Sequence, residues 1–523
     1  MSGPVDLLEA ERMRLQAALD AMKTPEERNR LGQFATPPRL ARELVALGIS
    51  HLPSGAPLRF FDPAVGMGSF YSALRATAGS RPVEAAVGVE VDPHYREPSR
   101  LIWEADGLEV RAGDFTRLTP DRKFNLLICN PPYVRHHHLD AETKARLRRL
   151  TAEVVGLKVS GLAGLYVFFL LLSLRWMAPG GVAVWLVPSE FLDVNYGLVL
   201  KRFLLEHVTL LRVHRAAPEA RTFADALVSS AVVVFRNTLA SSAHQVELSV
   251  GGELIRPALT AMVECTTLAT TPKWTRYPAE ANRASPPPTG SAPGPVEPVT
   301  RLGDWFDVRR GIATGDNHFF IVGEARLCEL GLPAAAVKAI LPGPRRLLVE
   351  EVLGDAVGLP NNIERYFLLD TGLSPAEVGR QFPKLWAYLS SGEATTGQGY
   401  LCRRRSPWYA QEQRPAAPIV CTYMGRGGGA QSRPFRFIRN RTQAVATNGY
   451  LLLYPRPELH LGAEALDRVW RHLSGLDPQV LLREGRVYGG GLYKLEPREL
   501  AAVPLPLGLV GPAAASSGRP GSR

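Results

Sequence analysis

The residues Asn130, Pro131, Pro132 and Tyr133 form the pattern in this chain that most clearly indicates chemistry. Two consecutive prolines lack backbone N–H groups and hold an extended path, so the loop offers a planar NH₂ group acceptors and no competing donors. The side-chain oxygen of Asn130 and the carbonyl of Pro131 can each accept one amine hydrogen, which draws the nitrogen lone pair toward a methyl donor. Tyr133 provides a face on which a flat substrate group can stack. Taken alone, the four residues also fit an ordinary Pro-Pro turn.

Three acidic residues stand at the ends of three successive predicted strands: Asp62, Glu90 and Asp114. In an open α/β sheet, ligands bind beyond the carboxyl ends of the strands, so these side chains are expected at one edge. Any one of them is also explained as a solvated strand end. Together they suit a ligand that carries an amine, a ribose and an adenine, which is S-adenosyl-L-methionine.

Two glycines follow the first acid, Gly66 and Gly68, and they let the backbone bend sharply and approach a ligand closely. The helix that follows turns its N-terminus toward any carboxylate bound there. Because the spacing is not GxGxxG, the segment does not indicate a dinucleotide.

Short apolar runs alternate with amphipathic segments through the first half of the chain. Strands are predicted at 58–63, 85–91, 108–114, 124–130, 181–188, 208–214 and 227–235, and helices at 68–79, 93–104, 160–177 and 196–206. The alternation predicts a parallel, doubly wound α/β sheet, which the last two strands close as an antiparallel pair.

The composition narrows the class of protein. The 523 residues carry a net charge of +11, which suits a polyanionic partner, nucleic acid first and an anionic membrane second. The longest apolar run, 162–174, is shorter than the roughly 20 residues that span a bilayer, so no membrane partner is expected. The five cysteines form no CxxC pair, and neighbouring side chains in His136–His138 point in different directions, so no metal site is predicted and the thiols indicate a reduced, cytoplasmic protein.

Residues 32–235 resemble the N6-adenine DNA methyltransferases of restriction–modification systems, in the motif order of their gamma group. The matching segments are 32–37 for motif X, 62–70 for motif I, Glu90 for motif II, Asp114 for motif III, 130–133 for motif IV and 187–191 for motif VI. The resemblance implies a class I methyltransferase fold, a Rossmann-like mixed seven-stranded sheet of the α/β class, with S-adenosyl-L-methionine as cofactor. It implies cofactor contacts from Phe34, Thr36, Pro37, Asp62, Ala64, Gly66, Gly68, Glu90 and Asp114. It also implies base flipping, with the extruded adenine stacked on Tyr133 and on Tyr196 or Phe191, of which Tyr196 is preferred.

The Pro-rich stretch 276–300 predicts a linker. The expected organisation is a helical lead-in at 1–30, a catalytic domain at 31–275, that linker, a C-terminal α+β target-recognition domain at 301–508 and a disordered tail at 509–523.

Residues 309–317, 448–450 and 489–497 resemble segments of the family's target-recognition domain. The predicted DNA contacts are Arg309, Arg403, Arg404, Arg405 and Lys494. Arginine can grip phosphates or read guanine bidentately. A solvated basic face explains any single one of these residues equally well.

The predicted function is site-specific methylation of adenine N6 in duplex DNA, as the modification arm of a restriction–modification system. Transfer to an RNA adenine or to a protein glutamine amide is one alternative, because both present the same planar NH₂ group. A DNA-specificity module without catalysis is the other. Only about thirty residues precede motif X, so a cognate endonuclease is expected to be a separate chain.

Overall fold

The computed structural model describes residues 4–217, 229–241, 243–278, 299–426, 433–488 and 492–509. Two compact units make up the chain: a first unit of Met1–Gly290 with Tyr488–Gly490, and a second unit of Ser291–Val487 with Gly491–Arg523. Most of the predicted linker, nearly all of the predicted tail and residues 489–491 lie outside the described residues.

The first unit contains the segments that carry motifs X to VI. Its helices are α1 Pro4–Ala21, α2 Pro25–Leu31, α3 Pro38–Ser50, α4 Ser69–Thr77, α5 Pro93–Trp103, α6 Ala141–Val155, α7 Leu165–Leu172, α8 Leu198–Glu206 and α9 Cys265–Thr270. Its strands are β1 Leu58–Asp62, β2 Val83–Glu90, β3 Glu109–Ala112, β4 Phe124–Cys129, β5 Met177–Pro188, β6 Thr209–Arg215, β7 Ser230–Arg236, β8 Gln245–Gly252 and β9 Pro257–Glu264.

One mixed sheet runs through the first unit, in the strand order β3-β2-β1-β4-β5-β7-β6-β8-β9. The strands β1 to β5 are parallel, and β7 runs antiparallel to both β5 and β6. The α/β class and the antiparallel closure are therefore confirmed. The sheet is two strands wider than the predicted seven, because β8 adds parallel to β6 and β9 pairs antiparallel with β8.

Local sequence explains where the helices around the site begin and end. In α2, Thr24 and Glu27 form a reciprocal capping box, and Gly32 ends the helix at φ 67°. Helix α6, which the apolar pattern did not predict, is capped by Asp140, whose carboxylate accepts from the backbone N–H of Thr143 at 2.7 Å. The predicted helix 160–177 is correct only at its centre, because α7 gives way to a 3₁₀ turn at Ser173–Trp176.

The core of the sheet is packed with aromatic rings. Phe61 of β1 stacks on Trp176 with ring centroids 4.4 Å apart and on Phe124 of β4 at 4.9 Å. Since the inner strands are packed on both faces, their carboxyl ends hold fixed positions.

The remaining elements form smaller sheets with helices packed beside them. The strands are β10 Val299–Arg301, β11 Phe306–Arg310, β12 Ile321–Gly323, β13 Val337–Ile340, β14 Glu351–Val352, β15 Tyr366–Leu369, β16 Ile419–Thr422, β17 Met424–Arg426, β18 Phe437–Asn440, β19 Tyr450–Pro455, β20 Arg486–Tyr488, β21 Leu492–Lys494 and β22 Pro504–Pro506. The helices are α10 Leu302–Trp305, α11 Asn317–Phe320, α12 Glu324–Leu330, α13 Pro375–Gln381, α14 Pro383–Gly392, α15 Ala463–Gly475, α16 Pro478–Glu484 and α17 Pro497–Ala501. The largest of these sheets has the order β11-β19-β16-β18-β14, so this part of the chain has the expected α+β character.

Candidate functional site

A cavity of about 360 Å³ opens at the carboxyl ends of β1 to β4. Its volume lies within the roughly 300–1,000 Å³ that is typical of small-molecule sites. The predicted residues that line it are Phe34, Thr36, Asp62, Ala64, Gly66, Glu90, Asp114, Asn130 and Pro132. The structure therefore brings residues from motifs X, I, II, III and IV to one site.

Asp62 closes the floor of this cavity at the end of β1. Its Oδ1 accepts from the backbone N–H of Ala64 at 3.0 Å, and the buried thiol of Cys129 contacts the carboxyl, whereas Oδ2 has no nitrogen or oxygen donor among the described residues. Burial, together with repulsion from Glu90, raises the pKa of the Asp62 carboxyl to about 8. A buried acceptor left without a donor is costly, so this position suits a ligand that brings a positive donor.

Glu90 ends β2 and faces the same cavity. Its two carboxylate oxygens accept from the backbone N–H groups of Gly66 at 3.0 Å and of Asp92 at 2.9 Å. Burial raises the pKa of Glu90. Since a carboxylate oxygen can accept more than one hydrogen bond, each oxygen can also take a ligand hydroxyl.

The glycine segment after β1 has the backbone that its residue types predict. Gly66 has φ 52°, and a Cβ at this position would meet no atom within 4 Å, because the residue borders the open cavity. Gly68 has φ 82°, and a Cβ there would lie 2.5 Å from Nε1 of Trp103. Gly68 thus supports the cavity from behind, and Pro37 likewise stands outside the lining, directly before α3.

Asp114 lies two residues beyond β3 and is held by Thr116 and Arg146. Its Oδ1 accepts from the backbone N–H of Thr116 at 2.9 Å and from the hydroxyl at 2.7 Å. The guanidinium of Arg146, from α6, donates to Asp114 Oδ2 at 3.3 Å and to Thr116 Oγ1 at 2.9 Å. Arg146 borders the cavity, and no sequence pattern indicated it.

Asn130 joins motif IV to motif X. Its amide Nδ2 donates to the carbonyl of Phe34 at 2.8 Å and to Oγ1 of Thr36 at 3.2 Å. These two acceptors fix the orientation of the amide. Its Oδ1 is buried and has no hydrogen-bond partner among the described residues.

The predicted stacking residues differ in exposure. Tyr133 is 8% exposed, its hydroxyl donates to the carbonyl of Leu186 at 3.0 Å, and its ring centroid lies 5.7 Å from that of Phe34. Phe191 is fully buried in the core and presents no face to a base in this conformation. Tyr196 is half-buried with its hydroxyl close to Glu190, and burial raises its pKa. The roles of these three residues stay predictions, with Tyr196 better placed than Phe191.

Helix α1, predicted only as a lead-in, also borders the cavity through Gln16 and Asp20. Polar contacts attach this segment to the unit. The hydroxyl of Tyr95 donates to Asp20 at 2.8 Å, and Lys23 pairs with Asp92 at 2.5 Å. No local motif marks these residues, because the contacts join positions some 70 residues apart.

The predicted DNA contacts lie apart in sequence and differ in what they touch. Arg309 is exposed and pairs with Asp307, and Lys494 pairs with Glu496 at 2.8 Å. Arg403 and Arg404 are exposed, whereas the guanidinium of Arg405 donates to the carbonyls of Thr314 and Ala313. Arg405 therefore supports the local fold, and the DNA-contact role of all five stays a prediction.

Among the described residues, no helix combines the length and the apolar character that crossing a membrane requires.

Comparison with known proteins gives matches along most of the chain. The Eco57I restriction-modification methylase family matches residues 96–223, and the C-terminal domain of type II methyltransferase M.Eco57I matches residues 295–516. Type II methyltransferase M.XamI of Xanthomonas campestris pv. amaranthicola is 30% identical over 497 residues, which are 91% of this chain and 85% of that protein. M.AccI of Acinetobacter calcoaceticus, also a type II methyltransferase, is 24% identical over 93% of this chain and 87% of its own length.

A restriction-modification enzyme of known structure is similar in fold. The type IIL restriction-modification enzyme MmeI, determined in complex with DNA, superposes with a TM-score of 0.55 at 13% identity, over 95% of this chain and 67% of that chain.

Proposed function

The chain belongs to the type II restriction–modification family of DNA methyltransferases, and from this premise we propose that it transfers a methyl group from S-adenosyl-L-methionine to N6 of adenine at a specific site in duplex DNA. One observation carries the choice of an exocyclic amine as the methyl acceptor. It is the buried Oδ1 of Asn130, which has no donor among the described residues while Nδ2 is held by Phe34 and Thr36.

The residues that border the cavity fit this cofactor. Among the described residues, four carboxyl side chains line the cavity, those of Asp20, Asp62, Glu90 and Asp114, and Arg146 is the one cationic lining residue. This lining suits a ligand with an ammonium group and ribose hydroxyls. We assign the amine to Asp62, the ribose hydroxyls to Glu90 and the adenine to Asp114. When bound, the cofactor supplies an activated methyl group on a sulfonium, so proximity and orientation account for most of the rate.

The catalytic loop acts on the amine without an ionised base. The Oδ1 of Asn130 and the carbonyl of Pro131 each accept one N–H of the substrate amine. Both bonds orient the nitrogen lone pair toward the methyl group, and Pro131 and Pro132 offer no competing N–H donor. As the nitrogen–methyl bond forms, the methyl–sulfur bond breaks, and the surplus amine proton leaves to the solvent. Adenine N6 in a stacked duplex lies outside the reach of any cavity, so the base must be extruded, at a few kcal/mol. Stacking on Tyr133 and Tyr196 offsets part of that cost.

The test is methyl transfer by the purified chain to duplex DNA with labelled cofactor, followed by digestion to nucleosides. The proposal expects the label in N6-methyldeoxyadenosine at one sequence, which sequencing of DNA from expressing cells identifies. Label in N4-methylcytosine would overturn the choice of base. Label in RNA or in protein glutamine, with none in DNA, would overturn the substrate.

The variant Asn130→Ala tests whether this side chain acts on the substrate amine and not on cofactor binding. We expect a loss of about 10²-fold or more in the rate of transfer, by analogy with the removal of one preorganised polar group from an active site. Binding of S-adenosylhomocysteine, measured by calorimetry, should weaken by no more than about tenfold, because only the bonds to Phe34 and Thr36 are lost. Equal losses in both quantities would mean that Asn130 acts through the cofactor site alone.

A further inference from the structure

An exposed tip on the second unit, residues 400–404, combines an aromatic ring, an aliphatic side chain and two arginines. Tyr400 is 63% exposed and Leu401 38% exposed, while Arg403 and Arg404 are exposed beside them. Single exposed apolar side chains are common on protein surfaces, so what distinguishes this tip is an aromatic ring held beside two guanidinium groups.

The tip is held firmly from below. Cys402 is fully buried in a core cluster, and the guanidinium of Arg405 donates to the carbonyl of Thr314 at 2.7 Å. On the preceding side, the hydroxyl of Thr396 donates to Asp316 at 2.8 Å. Backbone hydrogen bonds close the turn, from the N–H of Arg403 to the carbonyl of Gly399 at 3.0 Å among others. These contacts fix the turn, so Tyr400 is held in its exposed position.

The guanidinium of Arg404 lies over one face of the Tyr400 ring. The guanidinium carbon of Arg404 lies 4.2 Å from the ring centroid, which is a cation–π contact that fixes the ring plane. With this contact in place the side chain still exposes 63% of its surface. The surface that remains suits a flat partner, and the adjacent positive charge suits an anionic one.

Nucleobases flanked by phosphates have both properties. We propose that Tyr400 stacks on a base that is displaced from its neighbour in the target DNA, while Arg403 and Arg404 contact the adjoining phosphates. The proposal rests on the DNA methylation proposed above and deepens it, because it assigns the tip a part in deforming or reading the duplex. Stacking of a base on an aromatic side chain does not depend on which base it is. Leu401, next to the ring, would exclude water from the same contact.

The first experiment measures the affinity of full-length variants for duplex DNA that contains the recognition site. Tyr400→Leu should weaken binding by about tenfold or more, which corresponds to about 1.4 kcal/mol, and Tyr400→Phe should bind as wild type. Leu348→Ala is the matched control, because Leu348 is an apolar side chain of the same unit that is 78% exposed and lies outside the tip. Unchanged affinity of Tyr400→Leu, or an equal loss in Tyr400→Phe, would overturn the proposal. Thermal unfolding of each variant checks that the fold is intact.

The salt dependence separates stacking from a phosphate contact. Tyr400→Leu should leave the slope of log affinity against log salt unchanged, whereas Arg403→Ala should reduce it by about 1. A slope that changes by about 1 in Tyr400→Leu would contradict stacking.

Duplexes with a mismatch at the site test the displaced base. Unpairing in advance removes part of the unstacking cost, so wild type should gain affinity on the mismatched duplex. Tyr400→Leu has no ring to receive the displaced base, so it should gain no more than wild type and its defect should not shrink. Equal affinity of wild type for matched and mismatched duplexes, or a smaller defect on the mismatched one, would overturn displacement of the base. None of these measurements requires methyl transfer, so their failure leaves the proposed reaction intact, and absence of methylation by wild type would refute that reaction separately.

Discussion

Binding of the cofactor should release a proton from Asp62, and this linkage can be measured directly. The carboxyl has a pKa of about 8 in the cavity against an ordinary value of 3.8, because it is buried beside Glu90. At pH 7 it is therefore about nine-tenths protonated. An ammonium group that binds at Oδ2 favours the charged form, so the proton must leave as the ligand binds.

The magnitude follows from that pKa. Affinity for a ligand that requires ionised Asp62 should increase about 30-fold, about 2 kcal/mol, between pH 5.5 and pH 7. About 0.9 proton should be released per ligand at pH 7. Affinity rises with pH because Asp62 in the unliganded protein holds its proton below about pH 8 and must release it when the ligand binds.

Calorimetric titration of S-adenosylhomocysteine in buffers of different ionisation enthalpy measures the protons released. Asp62→Asn is the control, and it removes this group while leaving Glu90, whose pKa is also raised by burial. We expect proton release in the variant to fall by about 0.9 at pH 7. Equal proton release by wild type and variant would refute the assignment of the amine to Asp62.

Three further outcomes follow from contacts in the first unit. Gly32→Ala should lower both the melting temperature and the rate of methyl transfer. Gly32 has φ 67°, and a Cβ there would lie 2.2 Å from the backbone nitrogen of Tyr133. Normal activity with normal unfolding would contradict this prediction. Arg146→Gln should weaken S-adenosylhomocysteine about tenfold in calorimetry, since Asp114 loses a charge-assisted bond, and an unchanged Kd would show that Arg146 does not position that acid. Burial lowers the pKa of Lys201 to about 8 from 10.5, so between pH 8 and pH 10.5 the unfolded state binds more protons than the folded state. The free energy of unfolding should therefore rise by up to about 3 kcal/mol toward pH 10.5. Urea unfolding of Lys201→Met should lack this rise.

The sequence predicted those parts of the fold and site that depend on local pattern. Alternation of apolar strands and amphipathic helices determines a parallel sheet, and strand ends determine where Asp62, Glu90 and Asp114 meet. The orientation of Asn130 was open, because it depends on contacts with Phe34 and Thr36 from a segment about 95 residues earlier.

Other features lack a local signal altogether. Helix α6 buries only three of its 15 residues, Leu147, Thr151 and Val155, so its pattern did not stand out, and Arg146 with it stayed unnoticed. The hairpin β8–β9 lies at the sheet edge, where five of the eight residues of β9 are exposed and the alternation is weak. Residue type alone also cannot separate Arg403, which is exposed, from Arg405, which is committed to backbone carbonyls.

The attachment of α1 has a kinetic consequence for the cavity that it borders. The segment is fastened by charged and hydrogen-bonded contacts such as Lys23 to Asp92 and Tyr95 to Asp20. Lys23 and Asp92 are only 17% and 18% exposed, so salt screens this pair much less than it screens exposed contacts to phosphates. The residence time of the cofactor should therefore change little as ionic strength rises, so a loss of turnover in high salt reflects the weaker grip on DNA and not faster exchange of the product.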